Sequence, residues 1–304
     1  MIQLAYPNVI LHFSYKINQC PLFSKIKLRI FIRTRTGIHD RRIKKRSMDK
    51  SKLFDLTGKT AIVTGGAHGI GKATALLLAR HGANISIGDF NLQDAEKTAQ
   101  EIEQLGVKAI AVFCNVLDDD DLVNLVQTTA EKLGGIHILI NNAGGGGGGR
   151  ENPFKIAVDD IKRDFELNVF SGWRLCQLVV PYMKKEGYGS IVFTTSMSSI
   201  NKSPNMSGYS GSKAAVNHMV ANLAYDFGPE IRINAVGPGA TRTAALERVL
   251  TPAIEETMLK HTPIKRLGTA DDIAGAMLYF ASPISEWVSG QTIFVNGGGE
   301  QTLE

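Results

Sequence analysis

Tyr209 and Lys213 stand four residues apart in Tyr209-Ser210-Gly211-Ser212-Lys213, and Ser196 lies thirteen positions upstream of the tyrosine. Residues 206–227 read as a helix, which puts the phenol and the ammonium on one face, one turn apart. A free tyrosine, with a pKa of about 10, is a poor base at neutral pH. A neighbouring Lys⁺ stabilises the phenolate and brings that pKa toward the working range. With a serine hydroxyl beside it, such a pair can pass a proton to or from a carbinol oxygen. On an exposed helix the same spacing is an ordinary surface pair, so the chemistry depends on a hydride acceptor site elsewhere in the chain.

A candidate for that site lies near residue 65. The β-branched run Thr60–Thr64 (TAIVT) leads through Thr64-Gly65-Gly66-Ala67-His68-Gly69-Ile70-Gly71 into Lys72–Arg80, which has a helical pattern. Missing Cβ atoms let a backbone approach a diphosphate, and a helix N-terminus adds free N–H groups and partial positive charge. The spacing is G-x-x-x-G-x-G rather than G-x-G-x-x-G, so the commoner dinucleotide fingerprint is absent, and a plain strand-to-helix turn is the alternative. Asp89 closes the next apolar run, Asn84–Gly88, about twenty residues on, where an acid binds the ribose 2′-hydroxyl and repels a 2′-phosphate. Phe90 offers no compensating cation; His68, within the glycine turn, is the one residue able to soften the repulsion. NAD is therefore expected over NADP.

Thr64–Gly71 (TGGAHGIG), Asn141–Gly144 (NNAG), Asn168, Ser196, Tyr209, Lys213 and Pro238–Gly239 fall in the order found in the short-chain dehydrogenases/reductases, and over about residues 53–300 the chain resembles that family. Within it, Asn141–Gly149 (NNAGGGGGG), Glu166–Phe170 (ELNVF), Thr195–Lys213 and Thr251–Gly268 are similar to the bacterial members that act on hydroxysteroids. The resemblance implies an NAD-linked oxidoreductase moving a hydride to or from the 7α-hydroxyl (7-oxo) carbon of bile acids. Tyr209 is then the general acid/base and Ser196 polarises the substrate oxygen. Lys213 lowers the Tyr209 pKa and grips the nicotinamide ribose, and Asn168 holds a water in a proton relay to Lys213. Cofactor contacts are implied at Gly65, His68, Gly69, Ile70, Gly71, Asp89, Asn115, Val116, Asn142, Gly144, Tyr209, Lys213, Pro238, Gly239 and Thr243. Substrate contacts are implied at Gly145, Ser196, Asn201 and Tyr209. Asn115 stands where the family often has Asp; an amide oxygen still accepts from the adenine amino group. A homotetramer, built through the helices around 159–185 and 206–227, is implied as well. A reductase of another substrate, such as 3-oxoacyl thioesters, and a catalytically idle binding or regulatory member are the alternatives; Asp89 counts against the first and the intact Ser196, Tyr209, Lys213 and Asn168 against the second.

The elements that must position these residues are legible as a rhythm. Apolar runs at 60–64, 84–88, 108–114, 136–141, 190–195, 231–236 and 291–295 alternate with helical stretches of ten or more residues. That pattern predicts a single-domain α/β unit, a Rossmann-like doubly wound parallel sheet of about seven strands with helices on both faces. Gly144–Gly149 is read as a loop at the carboxyl edge of the sheet, either a Cβ-free wall for a flat steroid or a flexible solvent loop. Thr243–Arg266 is expected to form a lid of two short amphipathic helices, 244–250 and 254–260, hinged at Thr251-Pro252. Its basic residues Lys260, His261, Lys265 and Arg266 are expected to form a solvated face, with attraction of a bile-acid carboxylate as the sharper alternative.

Net charge is +5 over 304 residues, but residues 1–47 hold eleven Lys/Arg against the single acid Asp40, so that segment carries +10 and the rest −5. The basic excess belongs to a tail and argues neither for nucleic acid nor for a membrane as partner. The chain is expected to comprise this extension (1–47), unstructured or translated from a misplaced start codon, and a catalytic domain (48–304); a targeting presequence and a basic arm are the alternatives. Its longest early apolar run, Val9-Ile10-Leu11, is too short for a membrane span. Three cysteines without ligand spacing fit a reducing, cytoplasmic setting, and no metal is expected.

Overall fold

Thr60–Thr64 becomes a strand whose five side chains are all buried, in keeping with a β-branched run that must pack on both faces. The computed structural model describes residues 3–6, 9–12, 31–34, 37–40, 52–146, 151–248 and 250–299. It divides the chain into two units, Met1–Lys50 and Ser51–Glu304.

In the first unit, β1 (Gln3–Tyr6), β2 (Val9–His12), β3 (Phe31–Thr34) and β4 (Gly37–Asp40) pair in that order as an antiparallel sheet. Sequence reading finds no strand periodicity here, because four-residue strands are too short to display one. The rest of the basic extension, including Cys20 and residues 41–47, lies outside the described residues.

The second unit holds β5 (Thr60–Thr64), β6 (Asn84–Asp89), β7 (Ala109–Phe113), β8 (Ile138–Asn141), β9 (Gly189–Thr194), β10 (Ile231–Pro238) and β11 (Thr292–Val295). Every pairing is parallel, and the order is β7-β6-β5-β8-β9-β10-β11. The seven predicted apolar runs are these seven strands. Side chains alternate between two helical layers with the period of two that strands impose. Ala61, Val63, Ile85 and Ile87 face α1 (Gly69–Arg80), α2 (Leu92–Glu103) and α9 (Ala270–Ala281). Ile62, Leu139, Ile191 and Phe193 face α3 (Asp119–Leu133), α5 (Ser171–Glu186) and α6 (Ser207–Phe227). The strand order reverses between β5 and β8, and open α/β sheets bind ligands at the carboxyl edge beside such a switch point.

Two helical details differ from the sequence reading. The helix expected around 159–185 is α4 (Val158–Phe165) and α5 joined by a single π turn, Glu166–Phe170. The lid helices are α7 (Ala244–Glu247) and α8 (Pro252–Lys260). The second starts two residues early because the Thr251 side chain accepts the Ile254 N–H and Pro252 fits the first helical turn, so the expected hinge is a helix cap.

Candidate active site

The glycine turn needs its glycines for backbone reasons. Gly65 and Gly69 adopt φ of +62° and +54°, which strain any residue bearing a Cβ. At Gly71 a Cβ would run into the Gly65 carbonyl, so the first turn of α1 can pack on the loop only as glycine. His68 enters that helix in extended conformation with no side-chain cap, and no acid stands in the first turn. The leading N–H groups of α1 are thus left to an anion. Ile70 packs beneath them against the core. Thr243 reaches over the same turn, its Cγ2 lying 3.7 Å from where a Gly69 Cβ would be. This cradle fits a dinucleotide diphosphate.

Asp89 ends β6 nearly buried, 6% exposed. Its Oδ2 accepts the Ala67 N–H at 3.0 Å and its Oδ1 the Asn91 N–H at 3.0 Å, which holds the carboxylate at the edge of the glycine turn. His68 does not turn toward it; its Nε2 lies 3.2 Å from Asp94 Oδ2, and Asp94 also holds Lys97. The imidazole is therefore turned to a different acid than Asp89. Beyond β7, Asn115 is exposed and uses its side-chain oxygen to accept the Leu117 N–H at 3.2 Å, while Val116 is buried beside it.

Asn142 stitches the turn to the sheet. Its Nδ2 donates to the carbonyls of Thr64 and Gly65 at 3.1 and 3.2 Å, and its Oδ1 accepts from Thr194 Oγ1 at 3.2 Å. Gly144 fits only without a side chain, since a Cβ would stand 2.8 Å from Asn168 Oδ1 and 3.1 Å from Lys213 Nζ. Gly145 makes a two-point exchange with Asn168, donating its N–H to Oδ1 at 3.1 Å and accepting from Nδ2 at 2.8 Å. Asn168 Nδ2 also donates to Ser212 Oγ at 3.0 Å. Its side chain thus clasps the loop to α6, and the π turn that carries it is a distortion often found at functional sites. The glycine wall is described only as far as Gly146; Gly147–Gly149 lie outside the described residues.

Ser196, Tyr209 and Lys213 come together as their spacing predicts. Ser196 follows β9, accepts the Ser198 N–H at 3.1 Å and hydrogen-bonds the Tyr209 phenol. Lys213 is 4% exposed, donates from Nζ to the Thr194 carbonyl at 2.9 Å, and stands 5.9 Å from the centre of the Tyr209 ring. Burial pulls its ammonium down to about 8, against the opposing pull of the Asp164 carboxylate. For Tyr209 the sequence reading needs correction. Burial pushes the phenol up, the Ser196 hydrogen bond draws it back, and the Asp164 carboxylate pushes it up further. Desolvation of the phenolate outweighs the expected lowering. Asn201 follows the Ser196 turn, half-buried, its N–H donating to the Met197 carbonyl at 2.9 Å. Pro238 ends β10, and the Gly239 N–H donates to Val295 at 2.9 Å, which brings this segment to the same sheet edge.

Sequence reading singled out neither Glu151 nor Asp164. Glu151 is 5% exposed and receives the N–H of Gly208 on Oε2 at 2.6 Å and that of Tyr209 on Oε1 at 3.0 Å. No spacing marks it, because it reaches α6 across 58 residues of chain. The lid's basic residues are largely spoken for: Arg266 grips Asp272 at 2.6 and 2.9 Å, and Lys265 caps the carbonyls of Leu259 and Lys260. Among the described residues no cluster of His, Cys, Asp or Glu could hold a metal, and no helix is long and apolar enough to cross a membrane.

The family profile described as enoyl-(acyl carrier protein) reductase matches residues 65–300. The chain is 48% identical over 257 residues to 7α-hydroxysteroid dehydrogenase of Escherichia coli K12, covering 84% of this chain and all of that protein. It is 36% identical over 244 residues to the 3-oxoacyl-[acyl-carrier-protein] reductase FabG of Thermotoga maritima, covering 80% of this chain and 98% of the relative. Among solved structures, a 7α-hydroxysteroid dehydrogenase complexed with NADH and 7-oxo glycochenodeoxycholic acid superposes with a TM-score of 0.81 at 47% identity, covering 84% of this chain and all of that one.

Proposed function

Because the chain belongs to the short-chain dehydrogenase/reductase family, we propose that it is an NAD-dependent 7α-hydroxysteroid dehydrogenase acting on bile acids. The observation that carries this is one sheet edge holding both an anion cradle and a Ser196–Tyr209–Lys213 set whose lysine is buried, in a chain nearly half identical to an enzyme of that activity.

Bound NAD supplies the hydride acceptor, and its reduced form the donor. The glycine turn and the head of α1 would hold its diphosphate. Asp89, kept in place by the N–H groups of Ala67 and Asn91, would accept from the adenosine ribose hydroxyls and disfavour NADP. Asn115 and Val116 would meet the adenine; Asn142 and Gly144 would pack beside the cofactor, and Pro238, Gly239 and Thr243 would run past its nicotinamide side. Lys213 would hold the nicotinamide ribose and stabilise the phenolate of Tyr209. Tyr209 takes the hydroxyl proton in oxidation and returns it in reduction, while Ser196 holds the same oxygen by a hydrogen bond. Asn168 fixes Gly145 and with it the loop that would wall the substrate, and Asn201 would contact the steroid. A water held at Asn168 would connect Lys213 to solvent. The larger share of the acceleration comes from fixing alcohol and acceptor side by side.

The proposed assembly is a homotetramer formed through α4–α5 and α6. Phe170 and Trp173, exposed at 59% and 45% on that helical stretch, support it. A cytoplasmic setting is proposed with it; the buried thiols of Cys114 and Cys176, both pushed up by burial, are free.

Incubation of the purified protein with cholate or chenodeoxycholate, separately with NAD and NADP, tests the reading. NADH formation from the 7α-hydroxy acids supports it. Turnover of a 3-oxoacyl thioester in place of bile acids, or turnover with NADP alone, overturns it.

A further inference from the structure

The described mechanism leaves two carboxyl groups at the active site without a task. Glu151 spans the first N–H groups of the catalytic helix through Gly208 and Tyr209. Asp164, on α4, lies in hydrogen-bonding reach of Glu151. The two crowd one spot: a Cβ on Gly208 would stand 3.2 Å from both Asp164 Oδ2 and Glu151 Oε2. The other face of Asp164 presses on Gly146, whose missing Cβ would also sit 3.1 Å from Tyr209 Cδ2. The carboxyl pair is therefore wedged between the glycine loop, the phenol ring and the head of α6. Two carboxylates this close oppose each other's ionisation, and a proton held by one can bond the other.

We propose that Glu151 and Asp164 form a proton-sharing carboxyl pair that seats the head of the helix carrying Tyr209 and Lys213 and, by its charge, tunes proton transfer at Tyr209. Both act as positioning residues, and the proposal rests on the dehydrogenase reading for its effect on turnover. The proton resides on Asp164, which burial and the neighbouring charges of Glu151 and Asp160 push up to about 6, with Lys213 pulling the other way. The charged groups facing the pair are thus Asp160, Lys213 and the partial positive end of α6. As pH rises through that value the pair gains one negative charge. That added charge opposes ionisation of Tyr209 and sustains the ammonium of Lys213 against its burial. Its net effect is to hold Tyr209 as an acid, the form that protonates a ketone, to higher pH.

The test compares wild type with Asp164→Asn and Glu151→Gln. Tyr209 ionisation is followed by ultraviolet absorbance, with Tyr209→Phe as the subtraction. In Asp164→Asn the phenol is expected to ionise at lower pH, and the acidic limb of kcat/KM for cholate oxidation to move to lower pH with it. In ligand-free melts a raised carboxyl favours the fold below its unfolded value of 3.8, and that benefit is lost as pH rises through about 6. Asp164→Asn should therefore gain in Tm relative to wild type from pH 5 to pH 8, and Glu151→Gln should flatten the same change. An unchanged phenol titration in Asp164→Asn, with melts that track wild type at every pH, overturns the proposal. If wild type oxidises no bile acid, the dehydrogenase reading falls by itself, and the phenol titration and melts still decide the pair.

Discussion

Tyr209 and Asp89 are the residues on which chemistry and cofactor choice turn. Tyr209→Phe keeps the ring that fills the space beside Gly146 and deletes the proton carrier. Turnover should fall by about 10²–10⁴-fold, while NADH binding, followed by the fluorescence of the reduced nicotinamide, stays within twofold or so. Asp89→Asn keeps an acceptor for the Ala67 N–H and removes the charge that meets a 2′-phosphate. The NAD over NADP preference in kcat/KM should narrow by about tenfold, the factor that ~1.4 kcal/mol carries. At this scale the sequence was most readable. Tyr209, Lys213 and Ser196 are tied by helical spacing and a short return from one strand, so their meeting follows from local geometry. Glu151 and Asp164 meet only because α4 passes the head of α6, and no spacing rule reports such a crossing. The direction of the Tyr209 shift is hidden from the sequence for a related reason: burial depends on what covers the phenol, and that is a tertiary fact.

Elements fix the site through packing that has no room to spare. The first turn of α1 lies on the Gly65 carbonyl, and Gly71→Ala forces the two apart. Overpacking of this kind costs about 1–3 kcal/mol. The expected result is a lower midpoint in urea together with at least tenfold weaker NADH binding, since the shifted N–H groups would no longer converge on the diphosphate. Loss of stability without loss of affinity would show that the turn does not hold the cofactor. The strand–helix alternation was legible because buried parallel strands read as unbroken apolar runs. The π turn at Glu166–Phe170 was not, as its sequence differs in no propensity from the helix around it. The sequence pattern puts the start of α8 two residues late, since proline reads as a break, whereas behind the Thr251 cap it opens the helix.

Across the whole molecule, His137 joins distant parts of the sheet layer to an acid-labile contact. It is 7% exposed, accepts the Thr60 N–H on Nδ1 at 3.1 Å, and faces Glu186 at 3.8 Å. Burial, then the nearby Lys59, pull its pKa below 6.5, with Glu186 acting in the opposite direction. Only neutral imidazole can accept that N–H. The unfolded chain therefore takes up the proton first, and the contribution, fully present above about pH 6.5, is lost as pH falls below it. Tm should drop between pH 7 and pH 5, and His137→Gln should flatten that drop while lowering Tm at pH 7. Charge is also organised at this scale: the +10 of residues 1–47 masks a catalytic unit of net −5, a division visible in composition alone.

Glu151 grips α6 by the peptide N–H groups of Gly208 and Tyr209, not by their side chains. Such a hold is blind to what residue 209 carries. A phenylalanine there leaves the scaffold seated yet inert, which makes that variant a snare: soaked with oxidised dinucleotide and an unreacted sterol, it should arrest both in a stalled ternary complex that the living enzyme would consume.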